Sequence, residues 1–408
     1  MICRHCGAKL SISFLDLGSA PPSNAYLTKE LLNKPEKWYP LRIMVCKECW
    51  LVQTEDYADR ESLFDDNYAY FSSFSTSWLE HAKNYAEYMI NRFNLNSDSL
   101  VVEIAANDGY LLQYFIKAGI PCFGIEPTAS TAEAAIEKGI EIIKEFFGTD
   151  LAEALVKQGR QADLIAANNV LAHVPDINDF VSGFAALLKP KGVATFEFPH
   201  LLKMVQQNQF DTVYHEHYSY LSLTSVNQIF LKNGLKIFDV QELPTHGGSL
   251  RVFAERIDTG NQSVSVNVDT ILKQEKESGI TDINFYSGFQ LKAEQVKDEL
   301  LNFLIDAKYK GIKIAGYGAA AKGNTLLNFA GVRPDLLSYI VDKNPAKQGK
   351  FMPGSRIPVV DETCIINNKP DLVLILPWNI KDEIIKQLSY IREWGGKFIT
   401  AVPVLKKH

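Results

Sequence analysis

Tyr214, His215, Glu216, His217, Tyr218, Ser219 and Tyr220 form one unbroken run, and His, Glu and Tyr together span acid and base roles near neutral pH once their surroundings tune them. Such a run is either acid–base machinery or a wet surface loop. Its position favours the first. It follows an apolar stretch, Val193-Ala194-Thr195-Phe196-Glu197-Phe198, closed by Pro199, and in an open α/β sheet ligands sit beyond the carboxyl ends of the strands. A metal reading is weaker, because His215 and His217 lack the i, i+4 histidine spacing of a helical zinc motif. A second pattern opens the chain. Cys3-Arg4-His5-Cys6 and Cys46-Lys47-Glu48-Cys49 are two Cys-x-x-Cys knuckles, each able to turn two thiolates toward one tetrahedral Zn²⁺. A redox pair is the other use of such a motif. Four thiolates leave no open coordination position, so the predicted zinc is structural and ties together a segment too short to bury its own core. Cys122 and Cys364 are isolated and are expected to be buried.

The elements that must position these groups follow from periodicity. An amphipathic helix is predicted from about Ser77 to Arg92, followed by a strand, Leu100 to Ile104. The small-residue turn Ala105-Ala106-Asn107-Asp108-Gly109-Tyr110 then leads into a helix, Leu111 to Ala118. A strand, tight turn and helix let backbone approach a ligand closely. The next strand, Cys122 to Ile125, ends in Glu126, an acidic group about 20 residues on that can accept from both hydroxyls of a ribose. A third strand, Ala162 to Ala166, leads to Asn168-Asn169-Val170-Leu171-Ala172-His173. A helix to about Leu188, a turn at Lys189-Pro190-Lys191-Gly192, a helix from Thr224 to Asn233 stopped by Gly234, and two strands, Leu235 to Gln241 and Leu250 to Glu255, complete the pattern. This describes a doubly wound sheet with an antiparallel edge, as in a class I methyltransferase.

Residues 259–310 turn polar and helical and read as a connecting pair of helices. The last hundred residues begin α/β again: strand Ile312 to Ala315, a glycine turn, a helix from Lys322, strands Leu337 to Val341 and Leu372 to Leu376, helix Lys381 to Trp394, and strand Lys397 to Ala401. This is a second, small Rossmann-like unit. The helix start after Gly318 favours a phosphate through free N–H groups and the helix dipole. The segment from Asp342 to Arg356 concentrates lysines in a chain of net charge −6, and Arg356 and Lys322 are the cations best suited to a diphosphate. That net charge also argues against general nucleic-acid binding. With 408 residues, 46% hydrophobic and 22% charged, the composition is that of a globular protein with two or three cores. No basic-then-apolar leader and no run of about 18 apolar residues is present, so the expectation is a cytoplasmic protein without a membrane partner.

The two knuckles, Glu103-Ile104-x-x-Asn107-Asp108-Gly109, Asn169-Val170-Leu171-Ala172-His173, Tyr214-His215-Glu216-His217, Thr245-His246-Gly247-Gly248-Ser249-Leu250-Arg251 and Gly316-Tyr317-Gly318-Ala319-Ala320-Ala321-Lys322-Gly323-Asn324-Thr325 together resemble the S-adenosylmethionine-dependent C-methyltransferases of nucleotide-linked ketosugars. The resemblance runs over essentially the whole chain, with the motifs in the family's order. It departs at Ala105-Ala106, where the family usually has a small pair beginning with glycine. Alanine there is expected to take an ordinary φ and to put a methyl beside the cofactor.

The resemblance implies a class I methyltransferase domain over residues 67–258, a zinc-binding domain over residues 1–66, and a helical linker with a Rossmann-like sugar-nucleotide domain over residues 259–408. It implies an enolate mechanism with His217 as base, and Glu216, Tyr214, His173 and Tyr68 holding the sugar, donating to the oxyanion or orienting the base. S-adenosylmethionine would take Glu103, Ala105, Asn107, Gly109, Glu126, Pro127, Phe147, Asn168 and Asn169. Phe146 is an alternative to Phe147 beside the adenine. A nucleotide-diphosphate ketosugar would meet His246, Arg251, Tyr317, Lys322, Asn324 and Arg356. Zn²⁺ would sit on Cys3, Cys6, Cys46 and Cys49, and no obligate protein partner is implied. Three rivals remain: an N- or O-methyltransferase of a sugar nucleotide, disfavoured by the dense acid–base run; a nicotinamide-dependent sugar oxidoreductase, disfavoured by the lack of G-x-G-x-x-G; and a non-catalytic sugar-nucleotide scaffold whose cofactor turn is spoiled by Ala105-Ala106.

Overall fold

Three sheets organise the residues described in this computed structural model, 1–55, 57 and 71–408. The first begins with β1 (Ile12–Ala20), β2 (Tyr39–Val45) and β3 (Val52–Thr54), all antiparallel. β2 runs directly into Cys46, and Cys49 closes the turn before β3, so the second knuckle is the tip of a hairpin.

The second sheet draws on β4 (Val101–Ile104), β5 (Cys122–Ile125), β6 (Ile142–Ile143), β7 (Ala162–Asn168) and β8 (Leu188–Pro199). The short strand β9 (Ser219–Tyr220) leaves that region and pairs with β3, closing the first sheet as its fourth strand. The hairpin β10 (Leu235–Leu243) and β11 (Ser249–Arg256) then returns to the second sheet. Its order is β10-β11-β8-β7-β4-β5-β6, with β11 antiparallel to both neighbours and the other pairs parallel. β4 is buried along its whole length, as a parallel strand covered by helices on both faces must be. The chain switches direction between β4 and β7, which opens a crevice beyond their carboxyl ends. This is the class I methyltransferase sheet.

The third sheet contains β12 (Ile314–Tyr317), β13 (Ile340–Val341), β14 (Val359–Val360), β15 (Leu372–Ile375), β16 (Lys397–Thr400) and β17 (Lys406–Lys407), in the order β14-β13-β12-β15-β16-β17. Helices Val266–Ser278 and Phe289–Tyr309 connect the second and third sheets. The longer one buries Phe289, Ala293, Val296, Leu300, Leu304 and Ala307, a stripe at three- and four-residue spacing. That stripe shares one core with Phe14, Leu15 and Leu17 of β1, where Phe14 stacks on Phe289 at 4.7 Å. The N-terminal sheet is thereby packed against the C-terminal part of the chain.

Several expectations shift in detail. The helix predicted from Ser77 to Arg92 runs Thr76–Phe93, capped by Ser75 and ended by Asn94 at φ +51°. The predicted turn at residues 189–192 is extruded from within β8: Ala162 pairs with Leu188 and Leu164 with Val193. The strand predicted from Leu337 shrinks to β13, because Leu337 closes a turn onto Arg333. The helix predicted from Lys381 to Trp394 is α-helical only over Lys381–Gln387, then tightens to 3₁₀ until Gly395 at φ +83° ends it. Cys122 and Cys364 are half-buried rather than buried, since one opens β5 ahead of its pairing with the edge strand β6 and the other lies on the short helix Thr363–Asn368.

Gly124 sits on β5 where an added Cβ would lie 2.5 Å from the Ala106 methyl and 2.6 Å from Ile142. Gly124→Ala should therefore lose about 1–3 kcal/mol of stability by overpacking, measured as a lower midpoint in denaturant unfolding.

Candidate active site

The turn after β4 carries three left-handed residues, Ala105 at φ +56°, Asn107 at +49° and Gly109 at +73°. Ala105 corrects the expectation of an ordinary φ: the alanine accepts a strained conformation costing on the order of 1–2 kcal/mol. The surrounding bonds enforce it. Ala106 N–H donates to Ile125 at 3.2 Å, and Asn107 N–H donates to Glu126 Oε2 at 2.9 Å. Glu126 Oε1 accepts from Thr128 N–H at 2.9 Å. Burial raises this carboxyl above its ordinary range, while the two amides oppose the rise.

This turn lines a cavity of about 630 Å³. Ala105, Asn107, Glu126, Pro127, Phe146, Phe147, Asn168 and Asn169 face it from the sheet side; Tyr214, Glu216, His217 and His173 from the histidine-rich run and the loop after β7; and His246 and Lys322 from further along the chain. Neither polar atom of the Asn168 amide has a protein partner, although both are buried. An unpaired buried amide on a cavity wall requires a ligand or water.

The histidines have assignable tautomers. His217 Nδ1 lies 2.9 Å from the Thr212 carbonyl and His173 Nδ1 lies 2.8 Å from the Glu216 carbonyl. A carbonyl only accepts, so each Nδ1 carries hydrogen and each Nε2 keeps its lone pair. The two rings are 4.7 Å apart, and Tyr214 lies 3.9 Å from His217. Burial lowers His217 well below the usual imidazole range, reinforced by His173, and lowers His173 to about 4. Burial followed by the charge of Lys322 takes His246 down to about 3. All three are neutral at pH 7. Glu216 is pushed up to about 7 by burial, opposed by the Asn24 amide. Lys322 is pulled down to about 8 by burial, opposed by Asp211. Its ammonium donates to Asn379 at 2.9 Å and lies 4.6 Å from the Trp378 ring.

Not every predicted residue reaches the cavity. His215 turns away, with Nε2 3.3 and 3.2 Å from the carbonyls of Tyr39 and Pro40. Glu103, on β4, and Gly109, within the turn, are not among the residues lining the cavity. Burial raises the Glu103 carboxyl well above its ordinary range, and Gly109 packs so tightly that a Cβ would meet Ile140 at 2.2 Å. Arg251 is spent on Glu197, 2.6 Å away within the sheet. Tyr317 bonds Gln387 inside its own core, and Asn324 is fully buried against Asn328. Arg356 lies outside, donating to Leu32 at 3.0 Å and facing Glu36 at 3.6 Å. The cation that the basic segment brings to the cavity is instead Lys347. Tyr68 lies outside the described residues. Sequence reasoning missed Asn24, Trp78, Lys347 and Asn379. Asn24 had a faint signal in its place after Pro21-Pro22, where a chain turns.

Comparison with known proteins supplies the family. Family models match in series: a zinc binding domain over residues 3–64, a methyltransferase domain over residues 78–240, and a C-methyltransferase C-terminal domain over residues 244–403. The C-methyltransferase NovU of Streptomyces niveus is 33% identical over 401 residues, covering 98% of this chain and 95% of its own. The chain belongs to the C-methyltransferase family. A ubiquinone biosynthesis O-methyltransferase of Chelativorans sp. (strain BNC1) is 31% identical over 97 residues, 23% of this chain and 37% of its own. The magnesium protoporphyrin IX methyltransferase of Synechocystis PCC 6803 with bound SAM covers 44% of this chain and 79% of its own at 17% identity and a TM-score of 0.34, a likeness too slight to weigh. This C-methyltransferase depends on S-adenosylmethionine. Among the described residues no helix is long and apolar enough to cross a membrane.

The four cysteines of the zinc-binding domain fit their metal. Their sulfurs all lie within 4.8 Å of one another, with Cys3–Cys49 and Cys6–Cys46 each at 3.5 Å. A tetrahedral Zn²⁺ with bonds of about 2.3 Å places sulfurs roughly 3.8 Å apart. Gln53 Nε2 donates to Cys3 Sγ at 3.2 Å, as an outer-shell donor to a thiolate does. Arg4 of the first knuckle ties the loop after β7 to the N-terminal sheet, donating to the carbonyls of Pro175 and of Thr54 on β3, both at 3.0 Å. Cys49→Ser should release the zinc, read as metal per chain by elemental analysis, and destabilise the protein by on the order of 3–5 kcal/mol. Full metal content in that variant would place the ion elsewhere.

Proposed function

We propose that this C-methyltransferase transfers a methyl group to C3 of a nucleotide-linked 4-keto-6-deoxysugar, in the making of branched-chain deoxysugars. The observation that carries the reading is the meeting, in one cavity, of a neutral histidine pair with Lys322, which among the described residues has no carboxylate within ion-pair distance. A carbon becomes nucleophilic beside a ketone when its proton is removed and the enolate oxygen is stabilised. The first task needs a base, the second a donor. When bound, S-adenosylmethionine supplies an electrophilic methyl on a sulfonium.

His217 is the base in this proposal. Its Nδ1 hydrogen is committed to Thr212, so its free lone pair faces the cavity side of the ring. Desolvation keeps the imidazole unprotonated before reaction, and negative charge developing on the sugar raises its proton affinity as the transfer proceeds. Glu216, near half-ionised at neutral pH, can accept from a sugar hydroxyl or donate to the oxyanion, and Tyr214 and His173 stand beside the same ring. Tyr68 keeps its implied place among the residues that hold the sugar, donate to the oxyanion or orient the base. Asn107, Glu126, Asn168 and Asn169 would hold the cofactor's polar ends, with Pro127 and Phe147 against the adenine. The diphosphate would lie at the start of helix Ala321–Phe329, facing Lys322 and Lys347, where dipole and ammonium act together. The domain division at residues 66/67 and 258/259 belongs to the same proposal, as does the placing of His246 near the sugar.

Three measurements test it. Methyl-labelled S-adenosylmethionine incubated with a panel of nucleotide-linked 4-keto-6-deoxysugars should yield a new C3 methyl, located by mass spectrometry and NMR; label on oxygen or nitrogen would end the enolate reading. His217→Asn should abolish solvent exchange of the C3 proton and lower kcat by roughly 10²–10⁴-fold, with cofactor affinity unchanged, and retained exchange would move the base elsewhere. Finally, kcat/KM should fall above about pH 8, where Lys322 sheds its proton and its charge. Lys322→Arg stays charged and should remove that alkaline limb; an unchanged limb would take Lys322 out of anion binding.

A further inference from the structure

Asn24 belongs to the N-terminal unit, on the loop that leaves β1 through Pro21 and Pro22, yet it lines the cavity beside Glu216 and His217. Its amide nitrogen reaches both carboxyl oxygens of Glu216, at 2.9 and 2.7 Å. The Asn24 backbone N–H adds a smaller effect in the same direction. Two residues on, the Tyr26 hydroxyl donates to the Ala319 carbonyl in the glycine turn, and Lys347 Nζ donates to the same carbonyl at 2.8 Å. Leu27 and Phe351 then exchange both backbone bonds, at 3.0 and 2.8 Å. The loop is therefore locked to the C-terminal unit immediately beyond the residue that engages Glu216.

We propose that Asn24 is a positioning residue: it clamps the Glu216 carboxyl in the cavity, so the N-terminal unit completes the reaction centre as well as binding metal. The proposal rests on the reading that Glu216 takes part in the reaction. The groups acting on this carboxyl are Asn24 and Tyr26 from the N-terminal unit and Lys347 from the C-terminal unit, while His173 holds the Glu216 backbone carbonyl and lies 4.7 Å from the neighbouring His217 ring. Lys347 is already engaged by Ala319 and lies 3.8 Å from Asp342, which divides its attraction. The Asn24 amide donates directly. A carboxyl only 2% exposed that loses such a donor shifts toward its protonated form.

The test uses the full chain, and its first readout does not depend on the sugar. Infrared difference titration follows the Glu216 carboxyl band, identified by its absence in Glu216→Gln. In Asn24→Ala the midpoint should rise by about one pH unit. Asn24→Asp is isosteric, so it keeps the test standing if the alanine variant fails to fold, and its midpoint should rise at least as far because two carboxyls then share one site. The Glu216-dependent limb of the kcat/KM profile should move by the same amount, whereas a merely structural loss lowers the rate at every pH and leaves the limb in place. An unchanged infrared midpoint in Asn24→Asp overturns the clamp. A midpoint that moves while the rate profile stays put supports the clamp and instead removes Glu216 from the reaction.

Discussion

Residues 213–218 have no helix or strand of their own, and besides short local bonds such as His217 N–H to the Tyr214 carbonyl at 2.9 Å the hydrogen bonds that place them come from other parts of the chain. Thr54 N–H donates to the Tyr218 carbonyl at 3.1 Å from the zinc-held sheet. Thr325 Oγ1 donates to the Val213 carbonyl at 2.7 Å from the first helix of the C-terminal unit. His173 fixes the Glu216 carbonyl from the loop after β7 of the methyltransferase sheet. Just upstream, Trp378 donates to Asp211 at 2.7 Å. A segment held from three sides loses its freedom to solvate its side chains, and that converts a polar run into a buried one.

Burial then sets the chemistry. Withdrawing an imidazole from water disfavours its charged form, and withdrawing a carboxyl does the same in the opposite titration direction. The cavity consequently holds neutral histidines beside a carboxyl poised near neutrality and a lysine softened to about 8. The contrast with Glu197 is instructive. It is as buried as Glu216, but Arg251 at 2.6 Å and His81 at 2.7 Å hold it below the ordinary carboxylate range despite desolvation. The answered carboxylate stabilises the sheet, and the less answered one remains titratable.

The strained turn after β4 shows the same division of labour. Ala105 and Asn107 hold positive φ in a turn whose Ala106 and Asn107 amides are taken up by Ile125, at the end of the neighbouring strand, and by Glu126 just beyond it. The family motif at this turn was legible, but its backbone conformation was not: glycine announces a left-handed residue and alanine conceals one. Similarly, the knuckles Cys3-x-x-Cys6 and Cys46-x-x-Cys49 were readable as a metal site, while the strand pairing that joins them to Ser219 and Tyr220 had no local signal. Two-residue strands such as β9 and β13 are defined by their partners and not by their own pattern.

The sequence alone determined the periodic elements of the methyltransferase sheet, the zinc cysteines and the cluster of Tyr214, Glu216 and His217, because each is written in spacing or residue type over a few adjacent positions. Only the tertiary structure decided which of the alternating residues face the cavity. It turned His215 onto β2, gave Arg251 to Glu197, left Arg356 outside and brought in Lys347 and Asn24. The reason is physical: a side chain's direction and its competing partners depend on contacts between residues far apart in the chain, and periodicity records only what neighbours along the chain share.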